Sequence, residues 1–216
     1  MIPPSRPRVL LADDHRLVAE ALKSLLAPDF DLVGVVEDGR QLVEKAGELR
    51  PDVIVADIGM PHLNGIDALI RLRQDGDEVP VVFLTMHRDA TYARRALDAG
   101  ASGFVLKHSA STELITAIRA ALSGRTYLTP QLAGEVLDAM REDPDHVDDL
   151  AESLTLRQRE VLQLLAEGLS AKEISTSLGI SARTVEFPKY QMMERLGIHT
   201  SAELIRFAIK NGLVGY

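Results

Sequence analysis

The chain has 216 residues, 46% of them hydrophobic, and a formal charge of −8. That is enough apolar material for one large or two small cored domains, and the absence of cysteine excludes disulfides, thiolate zinc sites and cysteine nucleophiles. No uninterrupted apolar run reaches the roughly 20 residues that cross a bilayer. The opening "MIPPSRPR" lacks the apolar stretch of a secretory signal, so a cytoplasmic protein without a membrane partner is expected. The charge is uneven: residues 153–216 hold 8 Lys and Arg against 6 Asp and Glu, while residues 1–152 hold 16 against 26. An acidic front carrying a cation site and a rear meeting a polyanion would give this asymmetry, although ordinary surface solvation explains so small an excess equally well.

Residues 1–7, with three prolines, read as a disordered leader. Apolar runs of strand length then alternate with stretches of helical period. The strands read "RVLLA" (8–12), "DLVGVV" (31–36), "DVIVA" (52–56), "VVFLT" (81–85) and "GFVLK" (103–107). Amphipathic stretches lie near 16–27, 39–48, 65–74, 89–99 and 111–123. Strict βα alternation implies a parallel sheet with helices on both faces. Five units in this length fit an α/β, flavodoxin-like, doubly wound five-stranded parallel sheet, whose site lies outside the carboxyl ends of the strands.

Those ends carry Asp13 and Asp14, then Asp57, Thr85 and Lys107. One carboxylate at a strand end means little. Three, with a hydroxyl and an ammonium, form an acid cluster that needs a cation to offset its self-repulsion. All-oxygen ligands suit a hard ion, and Mg²⁺ binds through a few carboxylates while keeping waters for a phosphate.

The motifs "ADDH", "VIVADIGMPHLNG", "VVFLT" and "GFVLK", with their spacing, resemble the receiver domain of two-component response regulators over residues 8–125. The resemblance implies that Asp57 accepts a phosphoryl group from a sensor histidine kinase. It implies that Asp14, Asp57 and the Gly59 carbonyl bind Mg²⁺ directly and Asp13 through water. Lys107 and Thr85 then contact the phosphoryl oxygens, and Thr85 with Phe104 forms the switch pair, Phe104 being plain core in the alternative reading. Gly59 and His87 stand where the family tunes hydrolysis, and a fairly long-lived phosphate is expected. His15 is read as a surface residue. His108 replaces a common proline, which bears on the following loop and not on the site.

Residues 129–140 have helical period with Pro130 at the first turn; the charged stretch 141–153, broken by Pro144, reads as a flexible joint, so 126–152 is a linker with a helix. From Ser153 the strand pattern stops. Thr155–Gln158, Ser170–Glu173 and Thr200–Glu203 match the S/T-x-x-E/Q capping box. Helices are expected at 156–166, 171–178, 182–196 and 201–210, followed by Gly168, Gly179, Gly197 and Gly212. The middle pair, joined by "GIS", has helix-turn-helix form.

The run from Leu154 to Leu204 resembles the LuxR-type helix-turn-helix domain, and with the receiver it resembles the NarL/FixJ class of response regulators. The resemblance implies a transcriptional regulator that pairs as a homodimer on double-stranded DNA half-sites. On the 182–196 helix, Val185, Met192 and Leu196 share a core face. Arg183, Thr184, Glu186, Phe187, Lys189 and Tyr190 fall on the opposite face or its flank, and Lys172 lies near the preceding helix start. Arg183, Thr184 and Lys189 suit phosphates or guanine edges, Phe187 a thymine methyl and Tyr190 a phosphate; a merely solvated face is the alternative. Pro188 departs from the family's common histidine. It removes one helical bond at about 3 kcal/mol, so a bend or break at 184–188 and altered DNA recognition are expected.

Two other classes compete. One is a phosphorylation-dependent regulator that binds protein because Pro188 weakens DNA binding. The other is an aspartyl-phosphate hydrolase, which Gly59 argues against because a D-x-D acid is missing. No enzyme is expected.

Overall fold

Strands β3 (Val53–Asp57) and β4 (Val81–Thr85) are buried at every residue. Their unbroken apolar runs require this: neighbours on both edges and helices on both faces. The computed structural model describes residues 6–86, 90–142, 154–210 and 213. Around the two central strands lie β1 (Arg8–Ala12), β2 (Asp31–Val36), β5 (Gly103–Leu106) and β6 (Tyr127–Leu128). Every pairing is parallel, in the order β2-β1-β3-β4-β5-β6.

The doubly wound sheet therefore has six strands rather than five. Two residues are too few to show a period. They are held by what flanks them: the Thr129 amide donates to the Phe104 carbonyl (3.0 Å), and the Thr129 hydroxyl accepts from the Leu106 amide (3.2 Å) and donates to Glu113 (2.8 Å).

Side chains of alternate strand residues enter opposite layers. Val53, Val55, Val82, Leu84 and Val105 meet α1 (Arg16–Leu26) and α5 (Ala110–Leu122). Ile54, Ala56, Phe83, Phe104 and Leu106 share the other layer with α2 (Gly39–Leu49), α3 (Gly65–Gln74) and α4 (Ala90–Asp98). Helix α6 (Pro130–Glu142) joins that second layer through Leu132 and Val136, both buried.

Four more helices pack around a separate core of Val161, Leu164, Ile174, Val185, Met192 and Leu204: α7 (Leu156–Ala166), α8 (Ala171–Leu178), α9 (Ala182–Arg195) and α10 (Ser201–Lys210). Thr155 and Ser170 close reciprocal capping boxes with Gln158 and Glu173, and Thr200 pairs likewise with Glu203. Gly179 ends α8 with φ 62°, in the left-handed region.

The expected break at Pro188 does not occur. Helix α9 runs unbroken from Ala182 to Arg195 with Pro188 inside it. Val185 and Met192, both fully buried, anchor the helix on either side of the proline, and the Ser181 hydroxyl caps its first turn by accepting from the Thr184 amide. Tertiary packing overrides a local cost of this size.

Helix α7 rests on α3. Arg159 Nε donates to Asp67 Oδ1 at 2.7 Å, and Asp67 is fully buried. The expectations for residues 1–5, His87, the joint at 143–153 and Gly212 lie outside the described residues.

Candidate functional site

The ends of β1, β3 and β5 bring three charged groups together. Lys107 Nζ lies 2.6 Å from Asp57 Oδ2 and 2.8 Å from Asp13 Oδ2. All three side chains are at least nine-tenths buried. Asp57 Oδ1 accepts from the Ile58 amide (2.7 Å) and, at longer range, from the Gly59 amide (3.4 Å). The parallel register sets this meeting: Ala12 lies beside Ala56, and Asp57 beside Leu84.

Two carboxylates thus share one ammonium. Burial pushes the Asp57 carboxyl above its ordinary value, and Asp13 adds to this; Lys107 and the Gly59 amide oppose it. For Lys107, burial is the largest single influence and acts downward. Asp57 and Asp13 together outweigh it and hold the ammonium above the ordinary lysine value. Burial thus decides the direction for Asp57, and the two acids decide it for Lys107.

Donor atoms of Asp13, Asp14, His15 and Asp57 lie within 4.8 Å of one another. Asp13 Oδ2 and Asp14 Oδ1 are buried and accept no hydrogen bond; their close contacts are Lys107 for the first and His15 Nδ1 for the second. Oxygens held this way, beside a half-exposed imidazole, fit a hard divalent cation. His15, read from sequence as a surface residue, does stay exposed, yet it also reaches the cluster.

Gly65 is needed to shape the loop that leaves Asp57. A Cβ there would stand 2.3 Å from the Asp57 carbonyl oxygen, and the Gly65 amide donates to the Ile58 carbonyl (2.9 Å). Thr85, buried, ends β4 beside Leu106. Phe104 is fully buried on the same face as Thr85, two residues before Leu106. Its carbonyl takes the Thr129 amide, so Phe104 is tied by backbone to the segment that leads into α6.

On α9, Arg183, Thr184, Phe187 and Tyr190 are exposed, Glu186 and Lys189 are half-buried, and Val185 and Met192 face the core. Lys172 is exposed on α8. Lys189 Nζ sits 4.0 Å from Glu186 and 5.9 Å from the Tyr190 ring centroid. On α9, Lys189 thus links Glu186 and Tyr190 beside the exposed Phe187.

Sequence reasoning missed the polar stripe of α7. Arg159 and Gln163 are buried, and with Glu167 they recur every four residues. Such a stripe ordinarily faces water, and only the packing of the receiver against it reveals that it faces protein.

The fold and site define a receiver domain joined to a helix-turn-helix domain. Residues 9–119 match the model for the response regulator receiver domain, and residues 152–208 that for bacterial regulatory proteins of the luxR family. The chain belongs to the response regulators of this two-domain type. Transcriptional regulatory protein MctR of Rhizobium johnstonii is 35% identical over 209 residues, covering 96% of this chain and 95% of that one. A LuxR-family response regulator crystal structure from Aurantimonas sp. SI85-9A1 matches with TM-score 0.60 and 34% identity, covering 63% of this chain and 99% of that chain. The structure of an RcsB–DNA complex matches with TM-score 0.59 and 25% identity, covering 95% and 98%.

Proposed function

We propose that the chain is a transcription factor whose DNA binding and self-pairing are controlled by Mg²⁺-dependent phosphorylation of Asp57 by a sensor histidine kinase. The observation that carries this is the pair Asp57 and Asp13 converging on Lys107 at the carboxyl end of the sheet. An Asp57 carboxylate oxygen attacks phosphorus. The new bond is the acyl phosphate O–P bond, the donor's P–N bond breaks, and the donor histidine leaves with its electron pair. Lys107 neutralises phosphoryl charge, and the Ile58 and Gly59 amides orient the carboxylate. Asp13, Asp14, Asp57 and the Gly59 carbonyl would hold Mg²⁺, which supplies further charge neutralisation. Thr85 would contact the phosphoryl group, and the Thr85–Phe104 pair would pass its presence to the strand that carries β6.

Phosphoryl acceptance is the chain's only chemistry in this reading, with no dedicated enzymatic activity. No described helix is long and apolar enough to cross a membrane, and a cytoplasmic site of action follows from the family. The RcsB structure holds DNA, and the unbroken α9 offers Arg183, Thr184, Glu186, Phe187, Lys189 and Tyr190, with Lys172, to a duplex. We place paired copies on two half-sites.

Intact mass after incubation with acetyl phosphate and Mg²⁺ tests the chemistry. One added phosphoryl is expected on the native chain and none on Asp57→Ala; equal labelling of both would refute it. Duplex affinity that ignores salt would favour the protein-binding alternative.

A further inference from the structure

The stripe on α7 touches the receiver at its metal loop. Gln163, fully buried, donates from Nε2 to the Met60 carbonyl (2.9 Å) and accepts at Oε1 from the Asn64 amide (2.8 Å). Glu167 accepts from the His62 amide (2.9 Å) and from Gln163 Nε2 (2.8 Å). Backbone groups of alternate residues 60, 62 and 64 are therefore satisfied from the other domain.

These bonds bear on the metal ligand because of where they fall. The peptide after Gly59 carries both the Gly59 carbonyl and the Met60 amide, and that amide donates to Ile58 (3.0 Å). The next peptide carries the Met60 carbonyl, which Gln163 holds. Both peptides flanking the Met60 Cα are thus fixed, one from inside the loop and one from α7. His62 sits at φ 64°, a region that costs a non-glycine residue energy. Its amide is the one that Glu167 accepts.

We infer that Gln163 is a positioning residue for the divalent-cation site: while docked, the DNA-binding domain preorganises the loop that presents the Gly59 carbonyl. The inference rests on the reading of Asp13, Asp14, Asp57 and Gly59 as a Mg²⁺ site. A loop fixed before the ion arrives loses less conformational freedom when it binds. By linkage, Mg²⁺ then strengthens docking by the same factor that docking strengthens Mg²⁺ binding.

The test is calorimetric titration of the full chain with Mg²⁺, together with amide hydrogen exchange of residues 58–64. Gln163→Leu removes both backbone bonds to the loop and the longer one from Asn64 Nδ2 (3.3 Å). It is expected to raise the Mg²⁺ Kd by about fivefold, the low end of coupling between linked sites, and to speed exchange at His62 and Asn64. Arg40→Ala is the control. The Arg40 side chain meets Glu160 and Ser177 across the same interface, and its hydrogen bonds there go to those two residues rather than to the 58–64 backbone. Its Kd is expected within about twofold of the native value, below the smallest typical coupling.

If the native chain binds no Mg²⁺, the site reading itself fails and the inference falls with it. If the native chain binds and Gln163→Leu binds equally or more tightly, the inference alone is overturned. If Arg40→Ala weakens binding as much as Gln163→Leu, docking as a whole acts and the assignment to Gln163 is wrong. Should the leucine variant not fold, Gln163→Met keeps the length of the side chain and adds no buried charge while losing the acceptor for Asn64 and the donor to Met60. A raised Kd is expected there too, and an unchanged one overturns the inference.

Discussion

Arg159→Met puts the contact between the two domains to a quantitative test. Asp67 is fully buried; its Oδ2 accepts from Asn64 Nδ2 (2.9 Å) and its Oδ1 from Arg159 Nε (2.7 Å). Replacing the guanidinium leaves a buried carboxylate without its counter-ion, which costs about 3–5 kcal/mol. At roughly 1.4 kcal/mol per factor of ten, this is about 10² to 10⁴ in the ratio of docked to undocked molecules. The chain has an escape, because separation of the domains returns Asp67 to water. The loss of stability is therefore capped at the docking energy, because a larger penalty simply leaves the domains apart with Asp67 in water. Small-angle scattering should show a larger radius of gyration, and the His62 and Asn64 amides, which donate to Glu167 and Gln163, should exchange faster. Arg159 also donates to the Leu154 carbonyl (2.9 Å). Arg159→Met removes that bond as well, and Asp67→Asn does not bring it back; it removes only the buried charge, so in the Arg159→Met background it should restore part of the docked population. Unchanged scattering and unchanged exchange in Arg159→Met would refute the claim that this ion pair holds the domains together.

Three further outcomes follow from the same structure. Pro188→Ala restores a donor for the Thr184 carbonyl in an unbroken helix and should stabilise the helix-turn-helix domain by up to about 3 kcal/mol; thermal unfolding checks this, and Pro188→His should tighten duplex binding. Asp57 carries a folded-state pKa raised above 3.8, so the folded chain binds that proton more tightly than the unfolded chain does. The associated stability is complete below the unfolded value and is lost as pH rises through the folded one. At pH 7.5 without Mg²⁺, Asp57→Asn should therefore melt higher, by about 2–4 °C for each kcal/mol relieved, and the gain should shrink on acidification toward the unfolded value; no gain at neutral pH would contradict the burial argument. Lys172→Ala should weaken binding to all duplexes alike and lower the slope of log K against log salt by about 1, as loss of one phosphate contact requires.

The sequence was most legible where one residue had one physical reason to be there. The four rear helices follow their caps: Thr155, Ser170, Ser181 and Thr200 each stand directly before a helix. The central strands announce themselves because burial on both faces leaves no polar position in "VVFL". The acid cluster is legible for a chemical reason, since β1 and β3 lie side by side in this strand order and carboxylates at their ends meet. What escaped depended on distant partners. β6 exists because Thr129 reaches Phe104, Leu106 and Glu113. Helix α9 survives Pro188 because Val185 and Met192 are anchored in a core built from other helices. The stripe of Arg159, Gln163 and Glu167 has the spacing of a solvated face, and its burial depends on a loop about a hundred residues earlier.

That stripe also decides what docking can and cannot do to DNA binding. The receiver seats α7 and meets the end of α8 through the Arg40–Ser177 contact, while Phe187 and Tyr190 on α9 remain 62% and 63% exposed. A receiver that acted by covering the recognition face would bury those two aromatic rings first. In this arrangement both rings are open to water, so docking does not work by burying them. What it fixes is the orientation of α9 relative to the receiver. Two half-sites demand two recognition helices at a set spacing, about 34–36 Å for adjacent turns of duplex. If receivers pair through their own surfaces, docked domains hold their recognition helices wherever the receivers dictate, and undocked ones are free to find the duplex register. If the proposed phosphorylation of Asp57 acts through docking, the contacts it has to release are those of Asp67 with Arg159 and of the 60–64 loop with Gln163.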